Sequence, residues 1–335
     1  MRNHITLLVA LSSVVRLEAQ IDASLVDGRL ALTGSGPHTY LAVSNWMEWP
    51  GGRPIGSTHG QVAVDSQGLV YIATDTDKSI LVYKPNGEFL RSIAGDYSRM
   101  HDLVIRQEEE GEFLYCAHLG GAQAMKMDLN GDVIWKLGFP EEAGIYQNAG
   151  EYKPTGIAVA PNGEVYVADG YGKSVIHHYT ADLKYKATYG RRGKGLGEFT
   201  TCHNIAVDTR GETPMLMVSD RDNSRMQYMT MSGEPVSIWG EFLRRPCAVS
   251  FWGEFVAVSE IQGRVTILNG KNEPVAFLGD NPDQSQWATN RVAPHDWRDG
   301  IFTSPHGCQF DKDGNIYVMD WNASGRVSKL ERVEW

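Results

Sequence analysis

Apolar and polar residues alternate with a period of two through most of the chain, in short runs separated by turn sequences. The segment HGQVAVDSQGLVYIATDTDKSILVYKPNGEFLRSI, which begins at residue 59, contains four such runs. Alternation of this kind predicts half-buried β-strands, and the glycine-containing turns between the runs predict hairpins. The segment is therefore expected to form a four-stranded antiparallel sheet.

The same frame recurs five more times along the chain. The clearest copies begin at Thr155, His203 and His306, and weaker copies begin at His101 and Cys247. Repeats of about 40 to 50 residues with four short strands are typical of a β-propeller, in which stacked blades bury the faces that no single blade could bury. The predicted fold class is all-β, a six-bladed β-propeller of four-stranded antiparallel blades.

The last copy is too short for a complete blade. From His306 to the end of the chain there are 30 residues, which is enough for three strands. The N-terminal segment TYLAVSNWMEW, residues 39–49, resembles the fourth strands of the other copies. We expect it to complete the last blade, which would join the two ends of the chain and remove two exposed sheet edges.

Composition and charge narrow the class of protein. Hydrophobic residues make up 42% of the chain and charged residues 21%, as expected for a globular protein with a sizeable core. The formal net charge is −10 and no basic run offsets it, which argues against nucleic acid as a partner. We expect a monomer.

The first 19 residues resemble an export signal. Arg2 and His4 precede an apolar run from Ile5 to Val15, and Ala19 is a small residue at a suitable cleavage position. The alternatives are a buried strand or a lipid-proximal anchor, because the run is too short to span a bilayer. We therefore predict an exported protein without a membrane span, in which residues 1–19 are a signal peptide and residues 20–335 form one propeller.

The first strand of every blade lines the central channel of a propeller, so equivalent first-strand positions form a ring. In the six copies these positions are His59, His101, Thr155, His203, Cys247 and His306. His101, His203 and His306 belong to alternate blades, about 120° apart around a sixfold ring. Three imidazoles with one open position are the ligand set of catalytic zinc sites, and iron is an alternative. The structural alternative is that these histidines are polar plugs that satisfy channel waters and carbonyl groups.

The repeat frame resembles the NHL repeat, and its copies cover the chain from about residue 39 to residue 335. The segments KPTGIAVAPNGEVYVADGYGKSVI, HNIAVDTRGETPMLMVSDRDNSRMQYM and SPHGCQFDKDGNIYVMD also resemble the peptidyl-hydroxyglycine α-amidating lyases. The resemblance implies that His101, His203 and His306 bind a catalytic metal, that Tyr171 is the base and that Arg221 contacts the substrate. The implied substrate is a small molecule or a peptide C-terminus.

The chain departs from the family pattern at two places. The family's Pro-Thr-Asp is Pro-Thr-Gly here, ending at Gly156, and the Asp that follows its last histidine is Gly307. An Asp does follow His101, as Asp102. A structural calcium ion, which the resemblance makes a possible second metal, would therefore be bound differently or be absent.

Five further residues are candidates for substrate contact. His59 and Thr155 occupy ring positions, and His118 lies in the blade-2 loop equivalent to that of Arg221. The alternative for His59 and His118 is a different metal position. Trp321 could stack on a sugar or peptide. His295 lies in the insertion 279–305, the longest between blades, which we expect to form a lid or wall over the channel mouth.

Three functions are compatible with these features. The first is a metal-dependent lyase in which the metal is a Lewis acid, Tyr171 takes a proton and Arg221 holds an anionic group. The second is a lactonase or sugar-directed hydrolase, although such propellers usually bind calcium through oxygen ligands and an imidazole ring argues against that. The third is a non-catalytic binding scaffold.

The sequence does not decide the state of the cysteines. There is no Cys-x-x-Cys pair among the four, and an exported protein could form up to two disulfides in any of three pairings. We expect at least some of them to be buried free thiols. They are Cys116, Cys202, Cys247 and Cys308.

Overall fold

The computed structural model of the protein describes residues 25–26 and 29–334. The predicted signal peptide, residues 1–19, lies outside the described residues, and export stays a prediction. In the described part of the chain, no helix has the length and apolar character needed to cross a membrane.

Six antiparallel sheets are arranged as the blades of a propeller, and the strands of each sheet follow one another from the inside to the outside. The first strands are Val62–Val64, Met100–Glu108, Gly156–Val159, Cys202–Asp208, Pro246–Trp252 and Pro305–Phe310. The second strands are Val70–Ala73, Gly111–His118, Val165–Ala168, Met215–Asp220, Phe255–Glu260 and Ile316–Asp320. The third strands are Ile80–Tyr83, Gln123–Asp128, Ile176–Tyr179, Arg225–Thr230, Arg264–Leu268 and Arg326–Arg332. The fourth strands are Phe89–Ile93, Val133–Leu137, Tyr185–Tyr189, Pro235–Trp239, Pro274–Leu278 and His38–Val43. The predicted six-bladed all-β propeller is confirmed, and the blades are numbered 1 to 6 in this order.

The remaining elements are short. Two-residue strands pair as Leu25–Val26 with Arg29–Leu30 and as Arg191–Arg192 with Glu198–Phe199. The described helices are single 3-10 turns in loops: Pro50–Gly52, Leu119–Gly121, Glu141–Ala143, Ala149–Glu151, Arg221–Asn223, Gln284–Gln286 and Pro294–Asp296.

The ring is closed by the N-terminal strand, as expected. His38–Val43 pairs antiparallel with the C-terminal strand Arg326–Arg332, with Ala42 opposite Leu330. The strand is shorter than the predicted segment 39–49, because the chain leaves the sheet after Val43 and Asn45 takes a left-handed conformation with φ 48°. An additional strand, Leu32–Ser35, pairs with the closing strand on its outer side and gives blade 6 a fifth strand.

The core lies between the blades. Second and third strands such as Val70–Ala73 and Ile80–Tyr83 are buried at every position, because both faces of each sheet are covered by neighbouring blades. Outer strands such as Val133–Leu137 alternate between half-buried and exposed residues. Residues of all six first strands line an axial cavity of about 280 Å³. This packing holds the beginnings of the first strands in fixed positions around the axis.

Candidate metal centre

Four histidines converge where the first strands begin. The ring centroids of His101, His203 and His306 are 4.6 to 4.9 Å apart, and that of His59 lies 4.7 Å from His306 and 5.1 Å from His101. The side chains of His101, His203 and His306 are almost completely buried, with 1 to 3% of their surface exposed. The structure thus places the rings of the three predicted ligands next to one another, with His59 beside them. Among the described residues, the groups whose ligand atoms all lie within 4.8 Å of one another are two others, each of which contains His306, and the predicted ligand set stays a prediction.

A β-bulge presents each of the three central histidines to the axis. In blade 4, Cys202 pairs with Asp220 and Asn204 pairs with Ser219, so that His203 is an extra residue without a cross-strand partner. The same break in register occurs at His101 and at His306. A bulge changes the direction of the side chain at the extra residue. The bulges therefore turn imidazoles inward at positions where regular strands would continue the pleat.

Each imidazole is held by a hydrogen bond to a backbone carbonyl of the next blade. His101 Nδ1 lies 2.7 Å from the carbonyl oxygen of Thr155, His203 Nδ1 lies 2.9 Å from that of Cys247, and His306 Nδ1 lies 3.0 Å from that of Gly60. A carbonyl only accepts, so Nδ1 carries the proton and donates it. Burial lowers the pKa of all three histidines well below the usual value, so each is neutral with an unprotonated Nε2.

The hydroxyl group of Tyr171 lies among these nitrogens. It is 3.0 Å from His203 Nε2, 3.3 Å from His101 Nε2 and 3.4 Å from His59 Nε2. No described residue provides a partner for the buried Nε2 of His306. One phenol proton cannot satisfy several nitrogen lone pairs, and buried polar atoms without a partner are costly. The described side chains therefore provide too few hydrogen-bond donors for the nitrogen lone pairs at the centre of the ring, where a cation could bind instead.

Arg221 is the cation closest to the phenol. Its Nη1 donates to the hydroxyl oxygen of Tyr171 over 3.0 Å, and its Nε donates to Asp222 over 3.3 Å. The Arg221 side chain is 11% exposed. Burial raises the pKa of Tyr171 to about 12, while the guanidinium group of Arg221 acts in the opposite direction. The phenol is therefore protonated at neutral pH unless a further positive charge is present.

Two compact groups of possible metal ligands share His306. In one, ligand atoms of His59, His101 and His306 all lie within 4.8 Å of one another, and in the other those of His203, Cys247 and His306 do. Neutral imidazole and thiolate are suitable ligands for zinc and other first-row transition metals, whereas calcium requires six to eight oxygen ligands. The ring fits a transition metal, because it supplies unprotonated nitrogen lone pairs, of which that of His306 Nε2 has no partner among the described residues.

An open pocket of about 450 Å³ adjoins the ring. His59 and Tyr171 form its inner wall, and Arg99 and Lys153 contribute cationic side chains. The indole ring of Trp321 lies 5.5 Å from the imidazole ring of His59. Of the residues predicted to contact substrate, His59 and Trp321 are thus next to the centre. Arg99 and Lys153 were not expected from the repeat alignment, because their place at the pocket depends on how loops from different blades meet.

Three other predicted contact residues have different surroundings. The carbonyl group of Thr155 accepts a hydrogen bond from His101. Its hydroxyl group donates to backbone carbonyl groups of blades 3 and 4. His118 is engaged by Ser98 at Nε2, 2.8 Å away, and by Gln123 at Nδ1, 3.0 Å away. The side chain of His295 is 83% exposed and lies 3.6 Å from a carboxylate oxygen of Asp296. The structure does not bring these side chains into the ring, and their predicted role stays a prediction.

The insertion 279–305 is ordered against blades 5 and 6. Ala288 donates a backbone hydrogen bond to Ile261, and Asn290 accepts one from Ala323, in the loop that carries Trp321. Trp297 packs edge to face on Trp49 and takes part in a side pocket of about 480 Å³. The insertion therefore packs beside the loop of blade 6 that carries Trp321, and its role as a lid or wall stays a prediction.

The position after the last histidine leaves no room for a carboxylate. A Cβ added at Gly307 would lie 2.4 Å from Oε1 of Gln61 and 2.7 Å from the carbonyl oxygen of Gly60. Asp102 is the only carboxylate among the described residues that line the axial cavity, and it accepts hydrogen bonds from the backbone of Ile157 and Leu103. Burial raises the pKa of Asp102 to about 7. The described residues that line the axial cavity offer no set of carboxylates for a calcium ion. A structural calcium ion stays a prediction.

All four cysteines are buried free thiols. Cys247 is the one at a ring position, and burial raises its pKa to about 11 against the lowering effect of Arg221. The structure therefore contains no disulfide between Cys116, Cys202, Cys247 and Cys308.

Comparison with known proteins agrees with the fold and points to one group of relatives. The family model of the NHL repeat matches residues 152–179. The chain is 27% identical over 290 residues to the peptidylglycine α-amidating monooxygenase of Rattus norvegicus, which covers 80% of this chain and 27% of the relative. It is 26% identical over 190 residues to the peptidyl-α-hydroxyglycine α-amidating lyase 1 of Drosophila melanogaster, covering 51% of this chain and 33% of the relative. The chain thus spans about a quarter to a third of the length of these relatives.

Among solved structures, the virginiamycin B lyase from Staphylococcus aureus matches with a TM-score of 0.56 and 16% identity, over 83% of this chain and 96% of that one. This similarity concerns the fold. The chain carries an NHL repeat within a six-bladed propeller and resembles, at low sequence identity, the peptidyl-hydroxyglycine α-amidating lyases.

Proposed function

We propose that the protein is an exported, metal-dependent lyase that cleaves the C–N bond of a peptidyl-α-hydroxyglycine or a similar small hydroxylated substrate. The observation that carries the proposal is the convergence of the Tyr171 hydroxyl group on unprotonated imidazole nitrogens and on Arg221. The printed names of the relatives, a monooxygenase and a lyase of peptide α-amidation, agree with this chemistry.

The residues that would hold the metal are His101, His203 and His306. Their Nδ1 protons are directed at carbonyl groups, which leaves Nε2 of each ring available for a cation. When bound, a divalent metal, zinc or iron, supplies a Lewis acid for the substrate hydroxyl group. The unprotonated nitrogen lone pairs at the centre of the ring support this assignment more directly than the presence of histidines alone.

We assign the transfer of the proton to Tyr171. Cleavage removes the proton of the substrate hydroxyl group, breaks the C–N bond and adds one proton to the departing amide nitrogen, which yields a peptide amide and glyoxylate. A base and acid that exchanges this single proton must lie within hydrogen-bonding distance of the site. Burial opposes ionisation of the phenol, and Arg221 favours it from 3.0 Å. A divalent cation at the ring would favour it further.

Cationic side chains suit the carboxylate of such a substrate. Arg221 provides a planar fork beside Tyr171, and Arg99 and Lys153 lie on the adjoining pocket. The volume of about 450 Å³ falls in the range of about 300–1,000 Å³ that is common for small-ligand sites. We propose that a peptide C-terminus or a small acid enters here with its carboxylate toward these cations.

The two alternatives are less well supported. A calcium-dependent lactonase needs a set of oxygen ligands, and the ring offers nitrogen and sulfur. A binding scaffold does not account for three buried imidazoles whose protons are all directed away from the axis, because such a ring is costly without a cation.

Elemental analysis together with an activity assay tests the proposal. Protein purified without chelator is expected to contain one equivalent of zinc or iron and to convert a synthetic peptide that ends in α-hydroxyglycine into the amide and glyoxylate, both quantified by chromatography. In His203→Ala we expect metal affinity to fall by more than about 100-fold, since even the outer partners of metal ligands contribute about 10- to 100-fold.

The matched control is His38→Ala, on the closing strand of blade 6 and away from the ring. It is expected to keep both metal and turnover. Wild-type protein that is folded, free of metal and inactive on this substrate would contradict the lyase proposal and favour the scaffold. Protein that contains metal but does not turn over this substrate would support the metal centre and contradict the proposed substrate.

A further inference from the structure

Cys247 has the same backbone setting as the central histidines. It is the extra residue of a β-bulge, since Pro246 pairs with Glu260 and Ala248 pairs with Ser259. Two residues before it, Arg245 has a φ of 56°, and Arg99 and Thr201 have φ of 65° and 70° at the same distance before His101 and His203. Left-handed conformations at residues other than glycine are costly and persist where the surrounding structure requires them. Blade 5 is therefore built at this point like blades 2 and 4.

The side chain of Cys247 is completely buried and belongs to a compact set of ligand atoms. Its Sγ and nitrogens of His203 and His306 all lie within 4.8 Å of one another. The Nε2 of His306 is buried without a partner among the described residues, which independently indicates a ligand between these groups. The carbonyl group of Cys247 also accepts the Nδ1 proton of His203.

We propose that Cys247 binds the metal as a thiolate, together with His203 and His306, so that the centre has a mixed nitrogen and sulfur ligand set. The inference rests on the metal of the proposed function and deepens it. On binding, the S–H proton is released to solvent, a metal–sulfur bond forms, and no oxidant or reductant is involved.

Charge and donor type support this ligand. The imidazoles are neutral and Arg221 is a cation beside the ring, so a thiolate would place a negative charge in direct contact with a divalent metal. Thiolate is a soft donor that selects zinc and similar ions over calcium, magnesium and manganese. A set of His203, His306 and Cys247, with Cys247 in place of His101, would leave an open position for substrate, as catalytic zinc sites do.

X-ray absorption of the zinc-loaded protein tests the inference without relying on activity. Zinc–sulfur bonds of about 2.3 Å are resolved from zinc–nitrogen bonds of about 2.0–2.1 Å. We expect one sulfur neighbour in the wild type and in Cys202→Ser, and none in Cys247→Ser. Cys202 is the matched control because it is also buried and free but lies outside the group of ligand atoms. Cobalt(II) substitution should give a sulfur-to-metal charge-transfer band with the same dependence on Cys247.

The outcomes separate the two proposals. Stoichiometric zinc with only nitrogen and oxygen neighbours in the wild type, or a sulfur neighbour that persists in Cys247→Ser, would overturn the thiolate and leave the lyase proposal standing. A wild type that binds no metal would overturn both. If Cys247→Ser fails to fold, a sulfur shell that is present in wild type and in the single variants Cys116→Ser, Cys202→Ser and Cys308→Ser still assigns the ligand.

Discussion

At the scale of single residues, the centre has more nitrogen lone pairs than hydrogen-bond donors. Tyr171 has one hydroxyl proton and faces the nitrogens of His59, His101 and His203, while Arg221 donates to the same oxygen. In such an arrangement the phenol is the one group that can both give and receive a proton. Burial raises the pKa of the phenol, and the nearby positive charge of Arg221 lowers it.

The phenol is therefore expected to matter for turnover and not for metal binding. Replacing Tyr171 by Phe should lower kcat on an α-hydroxyglycine peptide by about 10²- to 10⁴-fold, the usual contribution of a positioned acid or base. Metal content should be unchanged, because the imidazole protons remain directed at carbonyl groups. Steady-state kinetics and elemental analysis of the same preparation measure the two quantities.

Tyr185→Phe provides the control, since this phenol lies on the outer strand of blade 3 and bonds to Thr188. It should retain wild-type kcat. A Tyr171→Phe variant with undiminished kcat would show that another group moves the proton.

At the scale of elements, two devices build the site. The bulges at the beginnings of the first strands turn His101, His203 and His306 toward the axis. The closing strand His38–Val43 keeps the ring intact by pairing with the C-terminal strand. Its Tyr40 is 1% exposed and packs in the cluster of apolar side chains shared by blades 5 and 6.

The closing strand should carry a large share of the stability. Tyr40→Ala removes a buried aromatic side chain and is expected to lower the free energy of unfolding by about 3–5 kcal/mol. Leu32→Ala, on the neighbouring fifth strand with 50% of its surface exposed, should change it by less than about 0.5 kcal/mol. Denaturant unfolding followed by circular dichroism compares the two. Equal effects of both substitutions would mean that the closing strand does not hold the ring.

At the scale of the whole molecule, the metal would connect parts of the chain that are far apart in sequence. Its proposed ligands come from blades 2, 4 and 6, or from blades 4, 5 and 6 where Cys247 takes the place of His101, so that one ion connects three blades. An ion that binds only the folded protein stabilises it by an amount that grows with the logarithm of the ion's concentration relative to its Kd. Oligomeric state is independent of this argument, and a monomer stays a prediction.

Metal removal is therefore expected to lower the midpoint of thermal unfolding. Zinc restored to about 1,000 times its Kd should return about 4.1 kcal/mol of stability. Differential scanning calorimetry of chelated and reloaded wild type measures the shift. His203→Ala should show little or no shift, and an identical midpoint for chelated and reloaded wild type would contradict a metal that spans the blades.

Much of the fold was accessible from the sequence because propeller blades repeat. The period-two alternation and the glycine turns identified each strand, and the short last copy identified the need for a closing strand. The additional strand Leu32–Ser35 was not predicted, since it matches no position of the repeat. Alignment of the copies also places His101, His203 and His306 at equivalent positions of the repeat.

The sequence by itself determined which residue types stand at the beginning of each blade, because those positions follow from the repeat. Only the tertiary structure decided which of them share a centre. Side-chain direction depends on the bulges, and proximity depends on loops from different blades, neither of which leaves a mark on local alternation. For that reason Cys247 emerged as a ligand candidate, and Arg99 and Lys153 as pocket residues, only when the ring was closed, whereas His118 and His295 were found engaged elsewhere.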